Sequence, residues 1–129
     1  IHSINTYRKF KSKIDKIKSN LLNLLKNLKK QKKTIHGYGA STKGNVLLQY
    51  FNIDKRYLDC ISDRNPKKNN CYTPGTNIKI LTEKKSRSLN PDYYLVLPWH
   101  FKREILKREK NMRRNGTKFI FPLPIIKII

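Results

Sequence analysis

The sequence predicts an α/β chain, with a Rossmann-like, mostly parallel sheet and flanking helices preceded by a long amphipathic helix. Three observations lead there. Apolar residues recur every three or four positions through the N-terminal segment; short β-branched and aromatic runs then alternate with helical segments; and the polar, glycine- or proline-containing clusters directly follow those runs. At 129 residues the chain has the length of one domain, enough to bury roughly two-thirds of its unfolded surface.

In order along the chain, Ile4, Tyr7, Phe10, Ile14, Ile17, Leu21, Leu24 and Leu28 share one stripe of a helix expected to end near Lys33. Such a stripe needs an apolar surface, either the rest of this domain or an upstream one. The chain begins without Met inside this pattern, so a longer polypeptide is expected, with residues 1–33 as a linker helix and 34–129 as the Rossmann-like domain. TIHGYG reads as a strand entering glycines, followed by a helix from Ser41 to Phe51. Tyr57 to Ser62 is a second strand, Asn77 to Leu81 a short third, and Tyr93 to Leu97 a continuous buried one. Phe101 to Asn111 reads as a helix, Gly116 as its stop and Lys118 to Phe121 as a further strand. Alternation of strands and helices calls for right-handed crossovers and parallel pairing.

The formal charge of +22 invites a nucleic-acid reading. The excess is 22 Lys against 8 Arg, accompanied by abundant Asn and Ile, all served by AT-rich codons. Outside Lys26 to Lys33 and Lys107 to Arg114 the cations are dispersed, and those two runs lie on helices where a solvated face is the plain expectation. Codon bias is therefore preferred to a nucleic-acid partner. Cys60 and Cys71 are too few and too far apart for a zinc site, and point to a reducing compartment. No apolar run approaches the roughly 20 residues of a membrane span, since Lys127 interrupts PIIKII, so a cytoplasmic protein is expected.

Ligands of such sheets bind at the carboxyl ends of the strands, and four motifs fall there. In HGYGASTKGN, Gly37 and Gly39 let the backbone approach a ligand, Ser41 or Thr42 caps the next helix, and Lys43 offers a charge near its N-terminus. The loop matches neither familiar pattern: a dinucleotide fingerprint wants glycine where Thr42 stands, and a P-loop wants Gly-Lys-Ser/Thr in place of Lys43-Gly44-Asn45. In SDRNPKK, Asp63 lies where a Rossmann domain places its ribose-reading acid, although an Asp-Arg-Asn-Pro turn held by local hydrogen bonds reads equally well. CYTPGTNI carries a Pro74-Gly75 turn. LPWHFKREI sets Trp99 and His100 between a buried strand and a helix, with a core role for the tryptophan as the alternative.

Taken in order, GYGASTKGN, DRNPKK, YTPGTNI, PDYYLVLPWHFKREI and GTKFIFPLP resemble the C-terminal domain of sugar C-methyltransferases, which act on nucleotide-linked deoxyketosugars; the resemblance runs from Ile35 to Pro124. It implies a larger enzyme with an N-terminal zinc module and a middle S-adenosylmethionine-binding domain. The substrate would lie between the middle and C-terminal domains, and the base would belong to the middle one. For this chain it implies a substrate-binding role for Tyr38, Ser41, Thr42, Lys43, Asn45, Asp63, Arg64, Trp99 and His100, with no catalytic, cofactor or metal residue and no activity in isolation. The loop from Gly37 to Asn45 would hold the diphosphate or adjoining sugar. Two positions depart from the family: His100 stands where relatives often carry Asn, and the basic run from Lys67 to Cys71 replaces a glycine-containing turn. A stand-alone nucleotide or dinucleotide module, and a basic nucleic-acid-binding protein, are the alternatives.

Overall fold

The computed structural model describes residues 2–129, with side chains from Ile4 onward. Helix α1 spans His2–Lys30 and stops where Lys32 turns left-handed at φ 60° and the Lys33 N–H donates to the Leu28 carbonyl at 3.0 Å. Then follow β1 (Ile35–Tyr38), α2 (Thr42–Tyr50), β2 (Cys60–Asp63), β3 (Ile80–Thr82), α3 (Glu83–Ser88), β4 (Tyr93–Val96), α4 (Lys102–Arg108), α5 (Lys110–Arg114), β5 (Lys118–Phe121) and β6 (Lys127–Ile128). The strands form one sheet in the order β3-β2-β1-β4-β5-β6, parallel except for the β5–β6 pair. The order in which strands are added reverses between β1 and β4, although the two run parallel, and this opens a crevice at their carboxyl ends.

Because side chains alternate across a strand, each strand serves two cores. Ile35, Ile61, Leu95 and Ile120 point to one face, where Ile17, Leu21, Leu25 and Leu28 of α1 and Leu48 of α2 cover them. Gly37 lies on this face because a Cβ there would come within 2.8 Å of the Ile61 side chain. Tyr38, Tyr94, Val96, Phe119 and Phe121 point to the other face, under Ile105 of α4 and Met112 of α5. There Tyr94 stacks on Phe119 at 5.4 Å between centroids, and Tyr38 meets Tyr94 edge-on at 5.5 Å.

Several elements differ from the sequence expectation. The second strand begins at Cys60, because the Tyr57 and Leu58 N–H groups both turn back to the Asp54 carbonyl. The helix expected from Phe101 to Asn111 is a 3-10 turn at Trp99–Phe101 followed by α4 and α5, broken at Glu109. Helix α3 and strand β6 were not anticipated. Of the α1 stripe, Ile17, Leu21 and Leu28 are buried and Ile14 and Leu24 half-buried, with Leu25 buried beside them, whereas Ile4, Tyr7 and Phe10 are 58–64% exposed. Among the described residues no helix is long and apolar enough to cross a membrane.

Candidate functional site

The loop from β1 to α2 is pinned by its neighbours. The Gly39 N–H donates to the Ser62 carbonyl at 2.8 Å, and the Leu97 N–H to that of Tyr38 at 3.1 Å, tying the loop to β2 and to the end of β4. Gly39 sits at φ +87°, where a side chain would also meet the Pro98 ring at 3.0 Å, so glycine is required. Ser41 caps α2 by accepting from the Gly44 N–H at 3.1 Å. Gly44 then lets the helix close on β4, since a Cβ would lie 3.0 Å from the Leu97 side chain and 3.1 Å from the Gly39 oxygen. The close helix–sheet contact that the dinucleotide fingerprint assigns to its third glycine is thus made two residues later than Thr42. Exposed Thr42 and Lys43 remain in the open first turn, whose N–H groups have no intrahelical partner.

Asp63, after β2, is bound into this scaffold. Its Oδ2 accepts from the Ala40 N–H at 2.9 Å and its Oδ1 from the Asn65 N–H at 2.8 Å. Lys68 donates to the Ala40 carbonyl at 2.9 Å and lies 3.7 Å from the same carboxylate. Aspartate and lysine together clasp the β1–α2 loop to the turn after β2.

Two crevices open at this edge. One, of about 430 Å³, brings together Tyr38, Ser41, Asp63 and Arg64 with Phe101 and Arg108. Its neighbour, of about 510 Å³, joins Ser41, Thr42 and Lys43 to His100. Ser41, Pro98 and Phe101 line both. The other two candidates line neither crevice. Asn45 is half-buried on α2, and its Oδ1 is buried without a hydrogen-bond partner among the described residues. Trp99 packs against the aromatic core and stacks on His100 at 4.2 Å between centroids, so it backs the histidine from inside.

Beneath the first crevice lies an ionic network the sequence reading missed. The Tyr38 hydroxyl donates to Glu109 Oε2 at 2.8 Å, and Arg87 makes two bonds to the same carboxylate at 2.8 and 2.6 Å. Glu83 pairs with Arg108 and lies 3.9 Å from Arg87. Burial alone would raise the Glu109 carboxyl, but the hydrogen bonds from Arg87 and Tyr38 outweigh it and hold the group below its ordinary range. Burial, reinforced by Glu109, pushes the Tyr38 hydroxyl far above its own, so it stays a donor. Glu109 stands at the break between α4 and α5, with its carboxylate buried. Deeper still, His36 Nδ1 lies 2.7 Å from Ser86 Oγ, which lies 2.7 Å from the Tyr94 hydroxyl. Burial lowers the His36 pKa to about 4 and raises those of Tyr94 and Cys60 to about 12.

Phe101, Glu104 and Arg108 also line the first crevice, at three- and four-residue spacing on the helical segment after β4. The sequence reading did not name them, although that spacing was a signal that could have. Glu83 had none, since EKKSRS carries no apolar stripe. The arrangement suits binding: cations and free N–H groups at the mouth, and buried titratable groups held in one protonation state below. Among the described residues no three His, Cys, Asp or Glu side chains gather to hold a metal.

Comparison with known proteins accords with this arrangement. Residues 1–124 match the family described as C-methyltransferase C-terminal domain. The chain is similar to the C-methyltransferase NovU of Streptomyces niveus, 33% identical over 123 residues, which make up 95% of this chain and 29% of that protein. It therefore spans less than a third of the length of the curated relative it matches. With the family matched from α1 through the loop, the clasp and both crevices, this chain belongs to the C-methyltransferase C-terminal domain family.

Proposed function

We propose that this chain is the nucleotide-sugar-binding domain of an S-adenosylmethionine-dependent sugar C-methyltransferase, working with an upstream methyltransferase domain. The observation that carries the reading is the open end of α2, where Ser41, Thr42 and Lys43 face a crevice joined to a second one across the β1–β4 reversal. A helix N-terminus with a lysine suits the diphosphate, and the adjoining crevices have room for the groups on either side of it. Proton removal beside the ketone, and transfer of the methyl group from sulfonium to carbon, belong to the upstream domain in this reading.

In this reading S-adenosylmethionine is bound outside this chain. Asp63, the acid after β2, spends both carboxylate oxygens on backbone N–H groups of this domain, which supports assigning the cofactor upstream together with the zinc. The isolated 129-residue chain should neither bind the cofactor nor transfer methyl.

Incubating the full-length protein with S-adenosylmethionine and a panel of nucleotide-linked ketosugars tests the reading, with mass spectrometry following the sugar. A methyl gain on the sugar carbon skeleton is expected. Methylation of oxygen or of a different substrate class, or no turnover with any nucleotide sugar, contradicts it.

A further inference from the structure

A third concavity, of about 600 Å³, lies away from the two crevices, between α1 and α2. Its walls are Tyr7, Phe10 and Ile14 of α1 against Val46 and Tyr50 of α2. Tyr7, Phe10, Val46 and Tyr50 are each at least half exposed. On α1 these residues continue the same stripe that Ile17, Leu21, Leu25 and Leu28 bury in the core, so one helix is covered along half its length and bare along the rest. Apolar side chains recurring at helical spacing, and converging with a second helix into a concave surface, mark an interaction site.

The charge around the groove narrows what covers it. Lys11 and Lys43 line it, and Lys18 lies 5.9 Å from the Tyr50 ring centre. From Arg8 to Lys18 the helix carries six cations and one acid, Asp15. A second copy would bring those same cations together, at a cost in like-charge repulsion. An apolar ridge flanked by carboxylates complements the groove instead. Lys43 lines both this groove and the crevice with Ser41 and His100, so a body seated on the groove stands beside the proposed substrate site.

We infer that the α1–α2 groove docks the upstream methyltransferase domain of the same polypeptide through an apolar ridge with acidic flanks, placing that domain against Lys43. This rests on the proposed function only in taking the chain as part of a larger methyltransferase. The test uses the full-length protein carrying Val46→Cys, with Lys84→Cys on exposed α3 as the reference, and reads maleimide labelling by peptide mass spectrometry. Labelling at 46 is expected to be slower than at 84 by about tenfold or more in a monomeric sample. A photo-crosslinker placed on the same cysteine should join it to a peptide preceding residue 1 of the present sequence. Equal labelling rates overturn the inference. So does protection that appears only with concentration-dependent dimerisation, or only on adding phosphatidylserine vesicles, which would assign the groove to a second copy or to a membrane. If position 46 is protected while Lys43→Ala keeps wild-type affinity for the nucleotide sugar, the docking surface stands and the substrate site falls.

Discussion

The two faces of the sheet are built from different chemistry. Under α1 and α2 the contacts are aliphatic, with Leu21, Leu25, Leu48, Ile61 and Leu95 fully buried. Under α3, α4 and α5 they are aromatic and polar, with two hydrogen-bonded chains, His36–Ser86–Tyr94 and Tyr38–Glu109–Arg87, threaded between the rings. Among the described residues the buried cluster of the aliphatic face holds no carboxylate or imidazole. The other face depends on protonation states and also floors the first crevice through Tyr38. Acid should therefore attack one face and leave the other unchanged, although both stabilise the same sheet.

The largest expected loss comes from the aliphatic face. Leu25→Ala removes a fully buried side chain and should cost about 2–5 kcal/mol in denaturant unfolding, by nearly equal amounts at pH 7 and pH 5. A loss that shrank or grew strongly with pH would mean the two faces are not separable.

Acid titration of the unaltered chain probes the polar face. His36 has an ordinary pKa of 6.5 and a folded value lowered to about 4 by burial. Folding therefore favours the neutral ring; its contribution is fully present above pH 6.5 and is lost as pH falls toward 4. The linkage amounts to about 3 kcal/mol. Stability curves should fall through that window in the wild type and flatten in His36→Gln, which cannot gain the proton. Equal slopes in the two proteins would place the acid sensitivity elsewhere.

Arg87→Leu should have a smaller effect. It strips the partner from Glu109, whose side chain is 1% exposed, but the Arg87 side chain is itself 35% exposed. The cost at pH 7 should be about 2 kcal/mol, below the roughly 3–5 kcal/mol of a fully buried pair. In the wild type the depressed Glu109 pKa gives stability that is present above its ordinary 4.5 and is lost as pH falls through the folded value. In the variant the bare carboxyl takes up a proton readily, so the gap between the two proteins should narrow from pH 7 to pH 4. A constant gap would show that packing, not charge, is what Arg87 supplies.

Legibility in the sequence followed the same division. Strands β1, β2, β4 and β5 and helix α2 stood out because apolar runs and a capping hydroxyl are local signals, and of the two cap candidates, Ser41 and Thr42, it is Ser41 that caps α2. Helix α3 escaped because it buries Ser86 rather than an apolar stripe, and the α4–α5 break escaped because no glycine or proline marks it, while Glu109 at the break bonds to Tyr38, 71 residues away. At the site, Ser41, Thr42, Lys43 and His100 come together as their positions at strand ends suggested. The Asp63 clasp, Glu83 and the role of Gly44 depend on contacts between distant elements, which no spacing encodes. In the same way, the stripe of α1 told where a helix runs but not where the core beneath it ends.

If the open end of α2 holds the diphosphate of a nucleotide sugar, as proposed, Lys43 is the side chain whose removal shows it. Its loss from a partly desolvated phosphate site should cost about 1.5–3 kcal/mol, or roughly tenfold to over a hundredfold in affinity. The measurement is calorimetric titration of the full-length protein with the nucleotide sugar, comparing wild type, Lys43→Ala and Lys84→Ala, with melting temperature and S-adenosylmethionine affinity followed beside it. With the diphosphate at that site, nucleotide-sugar binding should weaken for Lys43→Ala alone, with cofactor affinity and melting temperature unchanged. Wild-type affinity in Lys43→Ala would contradict it and leave the loop a strand-to-helix turn without a ligand.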